Sequence, residues 1–219
     1  MTRTSIKITA LVLCGSLLGA TAARANLLTN GSFEAGGFVN QGNNTMSLAA
    51  GSTVITGWTV ITDTTAWIGP TNPFGLTAND GSFFLDLTDY ASGAPFAGVT
   101  QAVATTPGAT YALTFDLGGS TTYGRPDAIT ASAAGTSATF ATPLAGTTND
   151  WYRQSLQFVA ISALTTIALQ GQAGFQYIGL DNASVDLVSA APVPEPGTWA
   201  LMFAGIAAVA ACARRRARP

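Results

Sequence analysis

Residues 111–117, which read Tyr-Ala-Leu-Thr-Phe-Asp-Leu, carry the pattern that decides the fold. Large apolar side chains alternate with small or polar ones, and this period of two is typical of a β-strand with one buried face. Asp116 is therefore expected to face away from Leu113 and Phe115. The segment predicts a strand that packs on one side against a hydrophobic core.

Similar segments recur on both sides of this stretch. They are rich in threonine, valine and aromatic residues, and turns containing Gly, Asn, Asp and Pro separate them. No stretch between residues 26 and 188 shows helical periodicity. Nine such segments in one domain predict an all-β fold, an antiparallel β-sandwich of the jelly-roll type. Besides 111–117, the predicted strands are 53–60, 83–87, 99–104, 128–133, 137–142, 155–158, 164–169 and 184–187.

The N-terminus has the parts of a secretory signal peptide. A short positive region precedes an apolar run over residues 8–20, which is too short to span a bilayer comfortably. Ala23 and Ala25 then form an A-x-A cleavage pattern just before Asn26. We therefore expect residues 1–25 to direct the chain to the Sec export machinery and to be removed.

The C-terminus combines three features in a fixed order. Pro194-Glu195-Pro196 precedes an uncharged run of 15 residues over 199–213, and an arginine cluster follows. As a helix this run is roughly 22 Å long, against about 30 Å for a bilayer core. A run of this length spans a membrane only marginally. A plain one-pass membrane anchor is one interpretation of it. By the positive-inside rule, the residues that stay in the cytoplasm are Arg214, Arg215, Arg216 and Arg218.

Together these features, which occupy residues 193–219, resemble a PEP-CTERM sorting signal. The resemblance implies recognition by an exosortase, a membrane-embedded cysteine transpeptidase of certain Gram-negative bacteria. It also implies transient anchoring in the inner membrane, removal of the tail and delivery of the rest to the cell surface or matrix. Pro194 and Pro196 have fixed φ angles and no N–H donor, which would hold Glu195 extended just outside the membrane.

Removal of both ends leaves a domain with a restricted set of reactive side chains. Residues 26–192 contain no His, Lys or Cys, and ten acidic residues face two arginines, so the net charge is 2 − 10 = −8. Such a charge repels nucleic acid phosphates. A Ser-His-Asp triad, a thiol nucleophile, a lysine Schiff base and a Cys/His zinc site are excluded there. Carboxylate chemistry and non-catalytic roles remain.

Five segments, taken in order, resemble a galactose-binding-like jelly roll, as in carbohydrate-binding modules and plant cell-wall proteins of the same type. The resemblance covers nearly the whole domain, which we expect to span residues 26–188 with a linker over 189–192. It implies a fold more than a ligand. The segments are NLLTNGSFEAG at 26–36, GWTV at 57–60, DGSFFLDLTD at 80–89, GVTQAVATTPGATYALTFDLGG at 98–119 and YIGLDNASVDLV at 177–188.

The same resemblance implies a structural calcium ion. In modules with this fold, an acid after the first strand and an acid in the last strand often meet at Ca²⁺, and the matching residues are Glu34 and Asp181. Hard oxygen ligands suit this ion, and the first and last strands of the sandwich would be neighbours. The alternative is that Asp181 caps a turn and Glu34 is solvated.

Carbohydrate binding needs exposed aromatic rings beside polar groups in loops. The candidate rings are Trp67, Tyr90 and Tyr123, and Arg125 could bind a hydroxyl group or the carboxylate of an acidic sugar. The alternative is that the tryptophans are core residues.

Glycoside hydrolysis would need two acids, for which Asp86 and Asp89 lie closest in sequence. In a regular strand they would be roughly 10 Å apart on opposite faces, whereas a turn at Thr88 would change that arrangement.

We expect a non-enzymatic exported protein associated with exopolysaccharide or biofilm matrix. The alternatives are a carbohydrate-binding module proper and a carboxylate-dependent glycan-active enzyme.

Overall fold

The computed structural model describes residues 26–91, 93–120, 126–143, 150–175, 177–192 and 204–207. The predicted signal peptide and its cleavage motif, Tyr123, Arg125, the Pro194-Glu195-Pro196 motif and the terminal arginines lie outside the described residues. In the described part of 26–192, the chain forms strands and no helix. Residues 204–207 are helical, and no described helix is long and apolar enough to cross a bilayer.

The described residues form eleven strands. They are β1 Thr45–Leu48, β2 Thr59–Ile61, β3 Thr65–Ile68, β4 Phe84–Asp86, β5 Gly98–Ala104, β6 Thr110–Gly119, β7 Ala128–Ala133, β8 Thr136–Ala141, β9 Asp150–Val159, β10 Leu164–Ala173 and β11 Gly179–Ser189. Because β11 continues to Ser189, the strand runs one residue into the segment that we predicted as a linker.

The strands form two antiparallel sheets. One has the order β1-β3-β4-β11-β6-β9 and the other has the order β2-β5-β10-β7-β8. Strands β3 and β4 and strands β7 and β8 pair with their neighbours in the chain, whereas most other pairs join distant segments. Every pairing of the named strands is antiparallel. The predicted all-β sandwich of the jelly-roll type is therefore confirmed.

Strand β6 has the register that its sequence pattern predicts. Leu113, Phe115 and Leu117 are fully buried in the core between the sheets, while β11 and β9 pair on either side of the strand. Each large apolar side chain buried in this way contributes about 1.5–3 kcal/mol to stability. Asp116 points away from that core and is nevertheless buried, because other groups cover the outer face of the sheet at this position.

Two short strands escaped prediction, and one predicted strand is mostly a loop. Strand β3 is buried on both faces, so its sequence does not alternate, and β1 has only four residues. Of residues 53–60, only the last two belong to β2. Gly57 has a φ of 85° and lies against Thr29 and Gln101, so the chain turns there before the strand begins.

The N-terminal segment lies beside the last strand, as expected, without forming a regular strand itself. Leu27 donates its N–H to the carbonyl of Val185 at 2.9 Å, and Ala183 donates to the carbonyl of Gly31 at 2.8 Å. A Cβ atom at Gly31 would lie 1.9 Å from the carbonyl oxygen of Ala183. The close approach of these two backbones therefore requires glycine at residue 31.

We predict that Gly31→Ala destabilises the domain, because the added methyl group overlaps a backbone carbonyl that cannot rotate away. The free energy of unfolding should fall by about 3 kcal/mol, which corresponds to a drop in Tm of roughly 6–12 °C. Thermal unfolding monitored by circular dichroism measures this change. Gly93→Ala is the matched control, since a Cβ atom there meets nothing within 4 Å. Equal melting of the two variants would contradict the prediction.

Candidate functional site

Asp181 of β11 holds the beginning of the loop that precedes β4. Its Oδ2 atom accepts the backbone N–H groups of Asn79 at 2.7 Å and Asp80 at 2.9 Å, and its Oδ1 atom accepts the N–H of Asn182 at 2.6 Å. The carboxyl group is fully buried. Asp181 therefore joins the last strand to a loop about a hundred residues earlier in the chain.

Glu34 holds the other half of the same loop, which we call the 79–83 loop. Its Oε1 atom accepts the N–H groups of Ser82 at 2.8 Å and Phe83 at 2.7 Å. Between the two halves, Gly81 has a φ of 75°, and a Cβ atom there would lie 2.4 Å from the Glu34 carboxyl carbon. Two carboxyl groups therefore converge on one short loop whose central residue has a positive φ that favours glycine.

Asp116 of β6 extends this arrangement across the outer face of the sheet. Its Oδ2 atom accepts the side-chain amides of Asn79 at 2.5 Å and Asn182 at 2.8 Å. Its Oδ1 atom lies 3.3 Å from Nη1 of Arg153, which also donates to the carbonyl of Asn182 at 2.8 Å. These bonds explain why an aspartate on the outward face of β6 is buried.

Burial changes the titration of two aspartates. Desolvation raises the pKa of Asp181 to about 7, against the opposing effect of its three backbone N–H donors. Desolvation also raises the pKa of Asp86 to about 7, although its carboxylate accepts N–H groups from Ile178 and Thr88. Each of these carboxyl groups therefore binds a proton more readily in the folded chain than in the unfolded chain.

The structure brings the two predicted calcium ligands, Glu34 and Asp181, to the same loop. However, the groups that converge there are N–H donors, whereas a calcium ion requires oxygen atoms on every side. The described residues contain no group of three or more acids placed to hold a metal. Calcium binding at Glu34 and Asp181 stays a prediction, which the Tm measured with excess Ca²⁺ and with EDTA would decide.

A small cleft of about 270 Å³ lies beside the 79–83 loop. Residues 69–72 form one wall, and residues 77–78 and 81–82 form the other. The side-chain amide of Asn72 donates to the carbonyls of Gly69 and Leu76, and Nε1 of Trp151 donates to the carbonyl of Thr77. The cleft is partly open to solvent, and its lining is about half polar and half apolar. Such a mixed lining suits a small ligand that carries hydroxyl groups on an apolar frame.

The predicted carbohydrate-binding rings do not meet at this cleft. Trp67 is almost fully buried in β3, where its Nε1 donates to the carbonyl of Phe33 at 3.0 Å, so it is a core residue and not a ligand-stacking ring. Tyr90 is 40% exposed and packs edge-on against Phe74. Tyr123 lies outside the described residues, and the structure therefore does not test it.

The paired-carboxylate hypothesis for Asp86 and Asp89 does not match the geometry. Asp86 is fully buried, and its Oδ1 atom accepts the N–H of Ile178 at 2.8 Å and that of Thr88 at 3.0 Å. Asp89 lies beyond a turn and accepts the hydroxyl of Ser47 at 2.8 Å. Because Asp86 is enclosed by the backbone that it holds, it cannot contact a polysaccharide.

Sequence reasoning identified Glu34 and Asp181 but did not find that both accept backbone N–H groups of the 79–83 loop. It did not find the role of Gly81 or the cleft. The DGSF segment at 80–83 carries a signal, since an Asp-Gly pair before a strand is typical of a turn with a positive φ. Nothing in the local sequence indicates that two distant acids hold this turn.

Two family models match the chain. One, described as "Protein of unknown function (DUF642)", matches residues 26–176, and the other, the PEP-CTERM protein-sorting motif, matches residues 192–216. No curated protein matches the chain.

Several solved structures are similar to the chain. "CBM4 structure and function" is 17% identical, covers 73% of this chain and 99% of its own, and has a TM-score of 0.44. TmCBM61 in complex with beta-1,4-galactotriose is 17% identical over 74% of this chain and 99% of its own, with a TM-score of 0.45. "Family 16 Carbohydrate Binding Module-2" is 20% identical over 73% and 99%, with a TM-score of 0.42. At these scores the similarities assign neither a ligand nor an activity to the chain.

The raised pKa values of Asp86 and Asp181 predict that the domain becomes less stable as the pH rises from about 4 to about 7. In this range the folded state retains protons that the unfolded state, with an ordinary aspartate pKa of 3.8, has released. Each group lowers the free energy of unfolding by up to about 1.4 kcal/mol per pH unit, and the decline ends above the folded pKa.

Urea unfolding at a series of pH values measures this slope. Asp181→Asn cannot ionise and retains one acceptor oxygen, so it should roughly halve the slope, and Asp86→Asn should do the same. A stability that is flat or rises across this range in the unsubstituted chain would contradict the prediction.

Proposed function

The chain belongs to the DUF642 family and carries a PEP-CTERM sorting motif, and from this premise we propose that it is an exported surface or extracellular-matrix protein with a non-catalytic sandwich. The sorting motif implies that the chain is an exosortase substrate, exported with a transient membrane anchor. We further propose that the Sec machinery exports it after recognition of residues 1–25, and that the mature domain spans residues 26–188.

One observation carries this proposal: the sorting motif at residues 192–216 follows directly on the last strand of the sandwich. Strand β11 ends at Ser189, so only a few residues separate the folded domain from Pro194. The sandwich and its sorting signal are therefore adjacent in the sequence, and the sandwich is the part to be delivered. Delivery to the matrix of a Gram-negative bacterium gives the sandwich a role among exopolysaccharides or biofilm components.

The side chains of the domain support a non-catalytic role. Residues 26–192 lack His, Lys and Cys. Asp86, Asp116 and Asp181 are each at most 3% exposed, and their carboxylate oxygens accept hydrogen bonds that hold the backbone or neighbouring side chains. A retaining or inverting glycosidase needs two acids that both face the substrate. These buried aspartates instead hold strands and loops in place.

A carbohydrate-binding module proper is the second candidate, and the cleft beside the 79–83 loop, with its mixed polar and apolar lining, favours it. Its volume of about 270 Å³ accommodates one sugar ring, and its walls are fixed by the hydrogen bonds of Asn72 and Trp151. A preformed cleft loses little conformational entropy when a ligand binds. A neutral or cationic sugar suits it better than an acidic one, since the domain carries a net charge of −8, two arginines less ten acids.

Mass spectrometry of the protein recovered from the cell surface tests the sorting proposal. We expect a C-terminus near Glu195, with residues 199–219 absent, because an exosortase would remove the apolar segment and the arginines. Glu195→Ala should instead accumulate in the membrane fraction with its tail intact, whereas Asp186→Ala, outside the motif, should be processed normally. A surface protein that still ends at Pro219 would contradict the proposal.

A glycan array and isothermal titration test the second candidate. Ser82→Tyr places a ring in the cleft and should weaken binding at least about tenfold, a loss of about 1.4 kcal/mol. Ser82→Ala leaves the cleft open and should bind like the unsubstituted chain. A silent array would refute the binding-module candidate. Release of reducing ends from matrix polysaccharide would contradict the non-catalytic assignment.

A further inference from the structure

One end of the sandwich is formed by three segments that meet where β11 leaves the domain toward the sorting motif. We call residues 104–110, 159–165 and 187–191 the exit end. Backbone hydrogen bonds join Thr105 N–H to the carbonyl of Ala163 and Ala160 N–H to the carbonyl of Ala109, both at 2.9 Å. Ser189 pairs with Thr110 in the sheet. The turns before β6 and β10 and the last residues of β11 therefore form one continuous surface.

The exit end exposes an unusual share of large apolar side chains. Of the eleven such side chains that are exposed among the described residues, five lie here, while the other six are distributed elsewhere. Single exposed apolar side chains are normal on a protein surface, whereas a cluster of them is typical of an interaction surface. Their exposed fractions are Val159 50%, Ile161 75%, Leu164 62%, Leu187 37% and Val188 37%.

The exit end also contains no charged residue, although the domain as a whole is acidic. None of its 19 residues is Asp, Glu, Lys or Arg. Asp186 is the nearest acid along β11, and its carboxylate accepts the hydroxyl of Ser184 at 2.8 Å. Asp116 lies six residues beyond Thr110 along β6, which corresponds to roughly 20 Å. The uncharged surface is thus separated from the buried aspartates that hold the 79–83 loop.

The sequence limits how far this surface can lie from the membrane while the tail is attached. Ser189 is ten residues from Trp199, the start of the uncharged run. A chain of that length spans at most about 36 Å when fully extended. Because β11 ends at Ser189, the connection to the uncharged run leaves the sandwich at the exit end, which is therefore the part of the domain attached most directly to that run.

We propose that the exit end rests on the lipid interface of the membrane as long as the sorting signal anchors the chain. Apolar side chains at the border of headgroups and acyl chains are stabilised by burial, and an uncharged surface incurs no cost of desolvating ions. Anionic headgroups would repel the rest of this acidic domain, which favours contact through the uncharged end. This contact orients the sandwich and holds the sorting motif close to the membrane surface, where the exosortase acts.

Depth-dependent fluorescence quenching tests the proposal. The exported chain with its tail attached and Cys212→Ser is placed in phosphatidylcholine vesicles that contain a nitroxide-labelled lipid. A single environment-sensitive fluorophore is attached at Ala163→Cys, in the exit end, or at Phe175→Cys, which lies past the opposite end of the ten-residue strand β10. The fluorophore at residue 163 should be quenched at least about twofold more strongly than that at residue 175.

Charge substitutions provide the matched control. Ile161→Asp with Leu164→Asp should reduce the quenching at residue 163 to the value at residue 175. Val39→Asp, at an exposed valine outside the exit end, should leave it unchanged. Circular dichroism confirms that each variant is folded.

Three results would overturn the proposal. The first is equal quenching at the two positions, and the second is native quenching in the double variant. The third is quenching that increases with the protein-to-lipid ratio together with energy transfer between labelled chains, which would place a second copy on this surface. The measurement uses the anchored chain, so it does not depend on whether the tail is later removed or on whether the cleft binds a glycan.

Discussion

The backbone N–H groups of the 79–83 loop must be satisfied, and two distant carboxyl groups perform this task. Glu34 comes from the N-terminal segment and Asp181 from the last strand, so their bonds tie the first, middle and last parts of the domain together. A hydrogen bond of this kind contributes about 0.5–1.5 kcal/mol to stability. Four of them hold one largely exposed loop, so the position of the loop, of strand β4 behind it and of the cleft beside it depends on these two acids.

The hydrogen bonds from Glu34 and Asp181 to the 79–83 loop also explain why the N-terminal segment stays on the sandwich without forming a strand. Gly31 allows its backbone to contact β11, and Asn26 accepts the N–H of Val185 with its side-chain oxygen at 2.9 Å. Glu34 can then reach the 79–83 loop from a fixed starting point. The backbone contacts between the N-terminal segment and β11 and the hydrogen bonds of Glu34 to the 79–83 loop therefore support each other. Loss of either set would loosen both the N-terminal segment and this loop.

The two ends of the sandwich have different chemistry, and this separation fits the life cycle of an exported protein. Charged and polar groups gather around the 79–83 loop and the cleft, where a soluble ligand can approach. The exit end is uncharged and exposes five large apolar side chains, and the chain leaves it toward the sorting motif. Under the two proposals above, one surface would act at the membrane and the other after delivery.

The sequence by itself determined the fold class, the C-terminal sorting signal and the absence of His, Lys and Cys from residues 26–192, and it predicts the N-terminal export signal. These properties depend on local patterns: alternation along β6, the order of features at each terminus, and composition. Only the tertiary structure decided that Trp67 is a core residue, that Asp86 is enclosed, and that Glu34 and Asp181 bind backbone N–H groups. Partners in these contacts are separated by up to about a hundred residues, and no local pattern records which distant groups the folded chain brings together.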